Sequence, residues 1–282
     1  MKILSNVQTD ESVHVATLEC SRGEKGIIWV SDLHGDNPKS NFAFFEKIAR
    51  KYPEALIVVG GDHLDVMQNF GDKRQSKHAL KEEFTRDDYL NAIIEYNVKI
   101  WEPYAHRIIS FFIGNHESTQ IKFHGMDITR EIVKTLNLKH GTSILLGDFA
   151  GYLKLRFDNS GRRFTNNIYY HHKPISGGTR SKGMLSVDLL LGRYPDADTY
   201  IAEHIHDTWM KPERIEMLDD KGFIKFRNKW VLQMPTLKDE FKGKKRGYTH
   251  EKNYKATPIG VIVLLFDVKR EGINLSPKYE LV

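Results

Sequence analysis

The chain has a single cysteine, Cys20, among 282 residues. That excludes an internal disulfide and a thiolate zinc cage, so any metal must be held by His, Asp, Asn or Glu. The chain also lacks an apolar run approaching the roughly 20 residues of a membrane span. The opening stretch, MKILSNVQTDESV, has too short an apolar core for a signal peptide. Together these absences lead to the expectation of a cytoplasmic protein with no membrane partner. There is no internal repeat and no low-complexity linker, so residues 1–282 are expected to form one domain. A strong charge imbalance is absent too. The net charge of +5 and pI of about 9.0 leave room for an anionic partner such as nucleic acid, but many soluble proteins carry as much without one.

What is present is a succession of short apolar runs alternating with amphipathic stretches, the pattern of a layered α/β fold. Residues 26–31, 55–59 and 107–113 read as strands. Residues 40–51 read as a helix, with Ser40 or Asn41 as cap and Phe42, Phe45, Ile48 and Ala49 on one face. Residues 74–101 are mostly helical in pattern, and 127–137 form a short helix capped by Asp127. The second half reads as strands at 143–147, 151–157, 167–171, 198–202, 222–226, 229–233, 259–267 and 275–281, with a helix near 183–192. The expected architecture is a four-layer α-β-β-α sandwich of two mixed β-sheets flanked by helices. The long apolar strand 259–267 is expected at the centre of one sheet.

Chemistry-bearing residues gather where apolar runs end. IIWV is followed by Ser31-Asp32-Leu33-His34, and ALIVV by Gly60-Gly61-Asp62-His63-Leu64-Asp65. IISFFI is followed by Gly114-Asn115-His116-Glu117, NNIYY by His171-His172-Lys173-Pro174, and ADTYIA by Glu203-His204-Ile205-His206. In open α/β sheets ligands collect at the carboxyl ends of strands. In Asp32-x-His34 and His204-x-His206, alternate residues of an extended chain would point the same way. Such a mixture of carboxylate, amide and imidazole suits Mn, Fe or Zn. Any one block arises often by chance; all five, in order, are specific.

The order D-x-H, G-D-x-x-D, G-N-H-(D/E), a lone His and H-x-H resembles the calcineurin-like metallophosphoesterase superfamily, from Asp32 to His206. The resemblance implies two divalent metal ions, with Mn preferred and Fe or Zn as alternatives. Asp32, His34 and His206 would hold the first ion, and Asp62 would bridge. Asn115, His204 and one of His171 and His172 would hold the second, His172 being preferred because His172-Lys173-Pro174 has the family's His-x-Pro form. His116 stands in the position of the leaving-group acid, and Asp65 in that of the carboxylate orienting it. The implied reaction is hydrolysis of a phosphate ester by a hydroxide bridging the metals.

Some positions depart from the family pattern. Glu203 stands where a Gly precedes the H-x-H, with a supporting or access-limiting role. His63 follows the bridging Asp and either faces substrate or points to solvent. Val66-Met67 follow Asp65, so the phosphate-clamping Arg of the protein phosphatases is missing from its usual place, although Glu117 matches them. Lys173, Arg180 and Lys182 lie on a Gly-rich stretch that can contact phosphate. Residues 238–255 interleave Lys and Arg with Phe241, Tyr248 and Tyr254, a composition that suits a nucleic-acid strand or simply a solvated loop; Lys73, Arg74 and Lys77 can add to the same rim. The leading expectation is a phosphodiesterase or nuclease acting on DNA, RNA or nucleotides. The alternatives are a phosphomonoesterase, including a serine/threonine-type protein phosphatase, and a metal-free scaffold. Oligomeric state leaves no mark in the sequence.

Overall fold

The computed structural model describes residues 1–67, 80–173, 183–184, 187–241 and 255–282. Within them the strands form two sheets. The seven-stranded sheet has the order β1 (Lys2–Asp10), β2 (Val13–Glu19), β7 (Ala150–Asn159), β8 (Arg162–His171), β9 (Thr199–Ala202), β11 (Ile224–Gln233), β10 (Trp209–Leu218). The six-stranded sheet has the order β13 (Ile273–Leu281), β12 (Gly260–Val268), β3 (Gly23–Val30), β4 (Leu56–Val59), β5 (Ile108–Phe111), β6 (Leu145–Leu146). Both sheets are mixed. β3, β4, β5 and β6 run parallel, as do β8, β9 and β11.

Period-two alternation assigns each face. Ile27 and Trp29 of β3 point between the sheets, where they meet Leu155, Ile168, Ile201 and Leu232; Ile28 and Val30 point the other way. That outer face is covered by α1 (Phe42–Lys51), α2 (Tyr89–Trp101) and α4 (Ile128–His140). On the far side Tyr169, Tyr200 and Val231 face α5 (Val187–Arg193) through Val187 and Leu190. The result is the expected α-β-β-α order of layers. Among the described residues no helix is long and apolar enough to cross a membrane.

Several boundaries differ from the expectation, each for a local reason. Asn41, not Ser40, caps α1, its Oδ1 accepting from Phe44 N at 3.3 Å. The buried face of α1 is Phe44, Phe45, Ile48 and Ala49, while Phe42 is half-buried at its edge against Trp101. Asp127 caps α4 as expected. Of the helical pattern at 74–101, residues 74–79 lie outside the described residues, and the remainder is a short 3₁₀ turn followed by α2. The two strands expected at 222–226 and 229–233 are one, β11, paired along its whole length with β10.

The strand expected at a sheet centre, β12, lies one position from the edge, between β13 and β3. Its continuous hydrophobicity reflects burial on both faces: Val261 and Val263 meet the helices, while Ile262, Leu264 and Phe266 meet the other sheet. Strands β1, β2 and β10 and helix α3 (Asn115–His124) were not expected. β1 and the outer half of β10 are largely exposed, so they carry no clear apolar alternation.

Candidate metal centre

The parallel strands β3, β4 and β5 of one sheet and β8 and β9 of the other deliver their carboxyl ends to one place. Three groups of donors meet there, one of them, His34, Asp65 and His116, sharing His34 with the first of the two that follow. Asp32, His34 and His206 offer atoms within 4.8 Å of one another, and so do Asp62, His172 and His204. His206 Nε2 lies 2.9 Å from Asp32 Oδ1. His172 Nε2 lies 3.1 Å from Asp62 Oδ2 and 3.2 Å from Asn115 Oδ1, which adds Asn115 to the second group.

The local backbone departs from the extended form expected. The D-x-H and H-x-H blocks are not extended. Asp32, His34, Asp62, His204 and His206 all have positive φ, between 48° and 75°. Side chains here converge because each strand turns sharply as it ends, in a conformation that Asp and His tolerate better than most residues. Backbone bonds from Asp32 N to Gly61 O (2.9 Å) and from His34 N to Asp62 O (3.0 Å) lock the two turns together. Glycine is required at 61, where a Cβ would stand 2.5 Å from His172 Nδ1.

Each inward imidazole is held from behind. His34 Nδ1 lies 2.5 Å from Asp65 Oδ1; a carboxylate only accepts, so Nδ1 carries the proton and Nε2 the lone pair. That Nε2 is buried and has no hydrogen-bond partner among the described residues. On the second side, His172 Nδ1 lies 3.1 Å from Glu203 Oε2. Burial, with Lys238 nearby, lowers His34 to about 4, and burial, with His172 beside it, lowers His204 to about 4. Burial alone would raise the carboxyl of Asp32, but His206 outweighs it and brings it to about 2. For His172 burial acts downward, yet Asp62 and Glu203 outweigh it and hold the ring well above its ordinary value.

The orienting role expected of the Asp65 carboxylate toward His116 is met differently. The hydrogen bond from His116 Nδ1 goes to the backbone carbonyl of Asp65 at 2.6 Å, while the carboxylate stands 3.8 Å away. That carboxylate is occupied by His34, by Asn37 Nδ2 and by Lys238 Nζ, the last at 3.1 Å. Burial would raise Asp65; Lys238 and His34 overcome this and hold it well below the usual carboxylate range.

Three expected contacts are corrected. His63 faces neither substrate nor solvent. It is fully buried against Phe111, with Nε2 3.0 Å from Thr129 Oγ1 of α4, and burial depresses it to about 3. His171 is in none of the donor groups. Strand alternation turns it away from His172, and its Nδ1 accepts from Lys173 N at 2.9 Å. Lys238, at the start of the run expected either to contact a nucleic-acid strand or to be a solvated loop, is instead drawn in against Asp65. Lys173 is exposed next to His172. Arg180 and Lys182 lie outside the described residues, as do Lys73, Arg74, Lys77, Tyr248 and Tyr254.

Sequence reading also missed the residues that brace the turns. Glu117 is buried and accepts from the backbone N–H groups of Asp62 (3.1 Å), Leu64 (2.9 Å) and Gly114 (2.8 Å). Asp36 accepts from the N–H groups of Asp65 and Val66. Thr236 Oγ1 donates to Asp32 O at 2.8 Å. Only the acidic residues in HGDN and GNHE gave any signal in the sequence, and that signal does not say which backbone they serve. A groove of about 670 Å³ lies elsewhere, between α4 and β6 beside Val133, Leu138 and Leu146.

The donor set fits divalent metal. Hard oxygens are mixed with imidazoles, of which burial keeps His34 and His204 neutral, the glycines leave room for close approach, and the buried His34 Nε2 has no partner among the described residues.

No protein-family model matches the chain, and no curated protein matches it. Among solved structures it is similar to the GAP50 anchor in the inner membrane complex of Plasmodium, at 11% identity and TM-score 0.45, covering 92% of this chain and 84% of that one. It is also similar to Vacuolar Protein Sorting 29 from Cryptosporidium parvum, at 10% identity and TM-score 0.40, covering 92% of this chain and 100% of that one. A protein of unknown function from Aquifex aeolicus aligns at 18% identity and TM-score 0.28, over 64% of this chain and 80% of that one.

Proposed function

We propose that the chain is a two-metal phosphoesterase of the calcineurin-like kind that its motifs resemble. The observation that carries this reading is the meeting of two donor groups, Asp32–His34–His206 and Asp62–His172–His204, at one end of the sandwich. Asp32, His34 and His206 would hold one ion, Asn115, His172 and His204 the other, and Asp62 would serve both. Manganese is the proposed metal, with iron or zinc as alternatives. Bound there, two divalent ions supply Lewis acidity toward phosphoryl oxygens and lower the pKa of water.

The remaining work falls to the chain's own groups. His116 sits at the first turn of α3, with Nδ1 committed to the carbonyl of Asp65 and only 12% of its side chain exposed. Its Nε2, 3.8 Å from Asp62 Oδ2, faces the donor cluster. In the imidazolium form that nitrogen donates a proton to the departing oxygen. Glu117 and Asp36 keep the 62–66 turn in place, so that Asp62 and the carbonyl that orients His116 move as one unit.

The proposed substrate is a phosphodiester, in nucleic acid or a nucleotide. The basic net charge and the exposed Lys173 beside His172 support it. The test is hydrolysis of bis-aryl and mono-aryl phosphates with Mn²⁺, followed by labelled single- and double-stranded DNA and RNA. Diester preference with strand cleavage is expected. Monoester preference without strand cleavage would leave a phosphomonoesterase, and protein that purifies without metal and cleaves neither aryl ester would leave a scaffold.

A further inference from the structure

Glu203 is 1% exposed, and both of its carboxylate oxygens have donors from other strand ends. Oε1 accepts from Trp29 Nε1 of β3 at 2.8 Å. Oε2 accepts from Gly61 N, just past β4, at 2.8 Å, and lies 3.1 Å from His172 Nδ1, just past β8. The surroundings are cut to admit it. A Cβ at Gly60 would stand 2.2 Å from Glu203 Oε1, and one at Gly61 2.5 Å from His172 Nδ1. Glu203 therefore ties both sheets together beneath the second donor group without entering it.

We infer that Glu203 is the positioning residue for the second metal position: it holds His172 in the tautomer and ring orientation that present Nε2 to the cation. The argument is one of hydrogen-bond capacity. The carboxylate has no proton to give, so in the neutral ring Nδ1 must be the N–H and Nε2 the free lone pair. Nε2 lies 3.1 Å from Asp62 Oδ2 and 3.2 Å from Asn115 Oδ1, so the metal-free imidazolium donates to these oxygens, and a cation taking the place of that proton would find the same three atoms. The first group has its own support, from Asp65 behind His34. Each position thus has a separate carboxylate, and loss of one should weaken one position only. Such outer partners commonly change metal affinity by about 10- to 100-fold.

The inference rests on the metal-centre reading, and the experiment separates the two. Equilibrium dialysis of the full chain against Mn²⁺ should show two sites. Glu203→Gln keeps the volume but replaces one carboxylate oxygen with an NH2 group that donates and cannot accept, so either Trp29 Nε1 or the pair Gly61 N and His172 Nδ1 loses its acceptor. It should weaken one site about 10- to 100-fold and leave the other within a factor of about two. Equal weakening of both sites, or of neither, overturns the positioning role; a wild-type protein that binds no Mn²⁺ overturns the metal centre itself. Should Glu203→Gln not fold, the wild-type protein answers through ¹⁵N-histidine NMR with Zn²⁺. A His172 ring protonated at Nδ1 and metal-shifted at Nε2 is expected, and the reverse pattern overturns the inference.

Discussion

At the scale of single residues, the centre depends on atoms that sequence spacing does not resolve. Asp65 follows Asp62 by three positions, and that spacing correctly brings it near His116; but the atom that reaches His116 is its carbonyl, and the carboxylate serves His34. The two arrangements predict different defects. His116→Ala should lower kcat about 10²- to 10⁴-fold with metal content unchanged, measured on a poor leaving group. Asp65→Asn should act on the metal instead, since the variant puts a neutral amide where His34, Asn37 and Lys238 met a charge. Mn²⁺ affinity is expected to fall about 10-fold by dialysis. If Asp65→Asn kept its metal and instead reproduced the His116→Ala rate, the carboxylate would belong to the acid after all.

The same limit explains His63 and Lys238: charge and position in a motif were legible, but not which side of a turn each side chain takes. His63 was drawn into the core by Thr129 and Phe111, both distant in sequence. Lys238 was drawn in by Asp65, 173 residues away.

At the scale of elements, legibility followed burial. Strands β4, β5 and β12 and the second half of β3 are buried on both faces and stand out as apolar runs, whereas β1 and the outer part of β10 are exposed enough to read as loops. Helix α3 was hidden for another reason. It begins at Asn115, inside the motif itself, and buries only Glu117 and Gln120, so no apolar stripe announces it. Where an element carries both a cap and a stripe, as α1 does, the sequence and the structure agree within two residues at its start. Asn41→Ala should therefore cost about 1 kcal/mol in urea unfolding, without altering Mn²⁺ binding, because the cap lies outside the donor groups. Gly61→Ala is the contrasting element-end change. Its Cβ would meet His172 Nδ1 at 2.5 Å and Gly114 Cα at 2.8 Å, so it should weaken Mn²⁺ binding as well as lower the unfolding midpoint. Normal dialysis on Gly61→Ala would mean the turn can relax without moving His172.

At the scale of the whole molecule, the six-stranded sheet must stay registered against its helices for strand ends to meet. One polar clasp far from the centre contributes to that. Glu280 of β13 accepts from Lys51 Nζ at the end of α1 (2.8 Å to each oxygen) and from Tyr52 OH (2.6 Å), with Lys278 Nζ at 3.0 Å. Burial would raise the Glu280 carboxyl, but these donors outweigh it and bring it to about 2, from an ordinary value of 4.5. The folded pKa lies below the unfolded one, so the ionised group favours the folded state above pH 4.5, and that contribution fades as pH falls toward 2. Lys51 is half exposed, so solvent screening limits the clasp to about 1 kcal/mol. Glu280→Gln should be less stable than the wild type by that amount in urea at pH 7, and the gap should narrow at pH 3. A gap that stayed constant with pH would assign the loss to packing rather than charge. Mn²⁺ binding by the variant should match the wild type at pH 7, because this clasp holds the layers and not the donors.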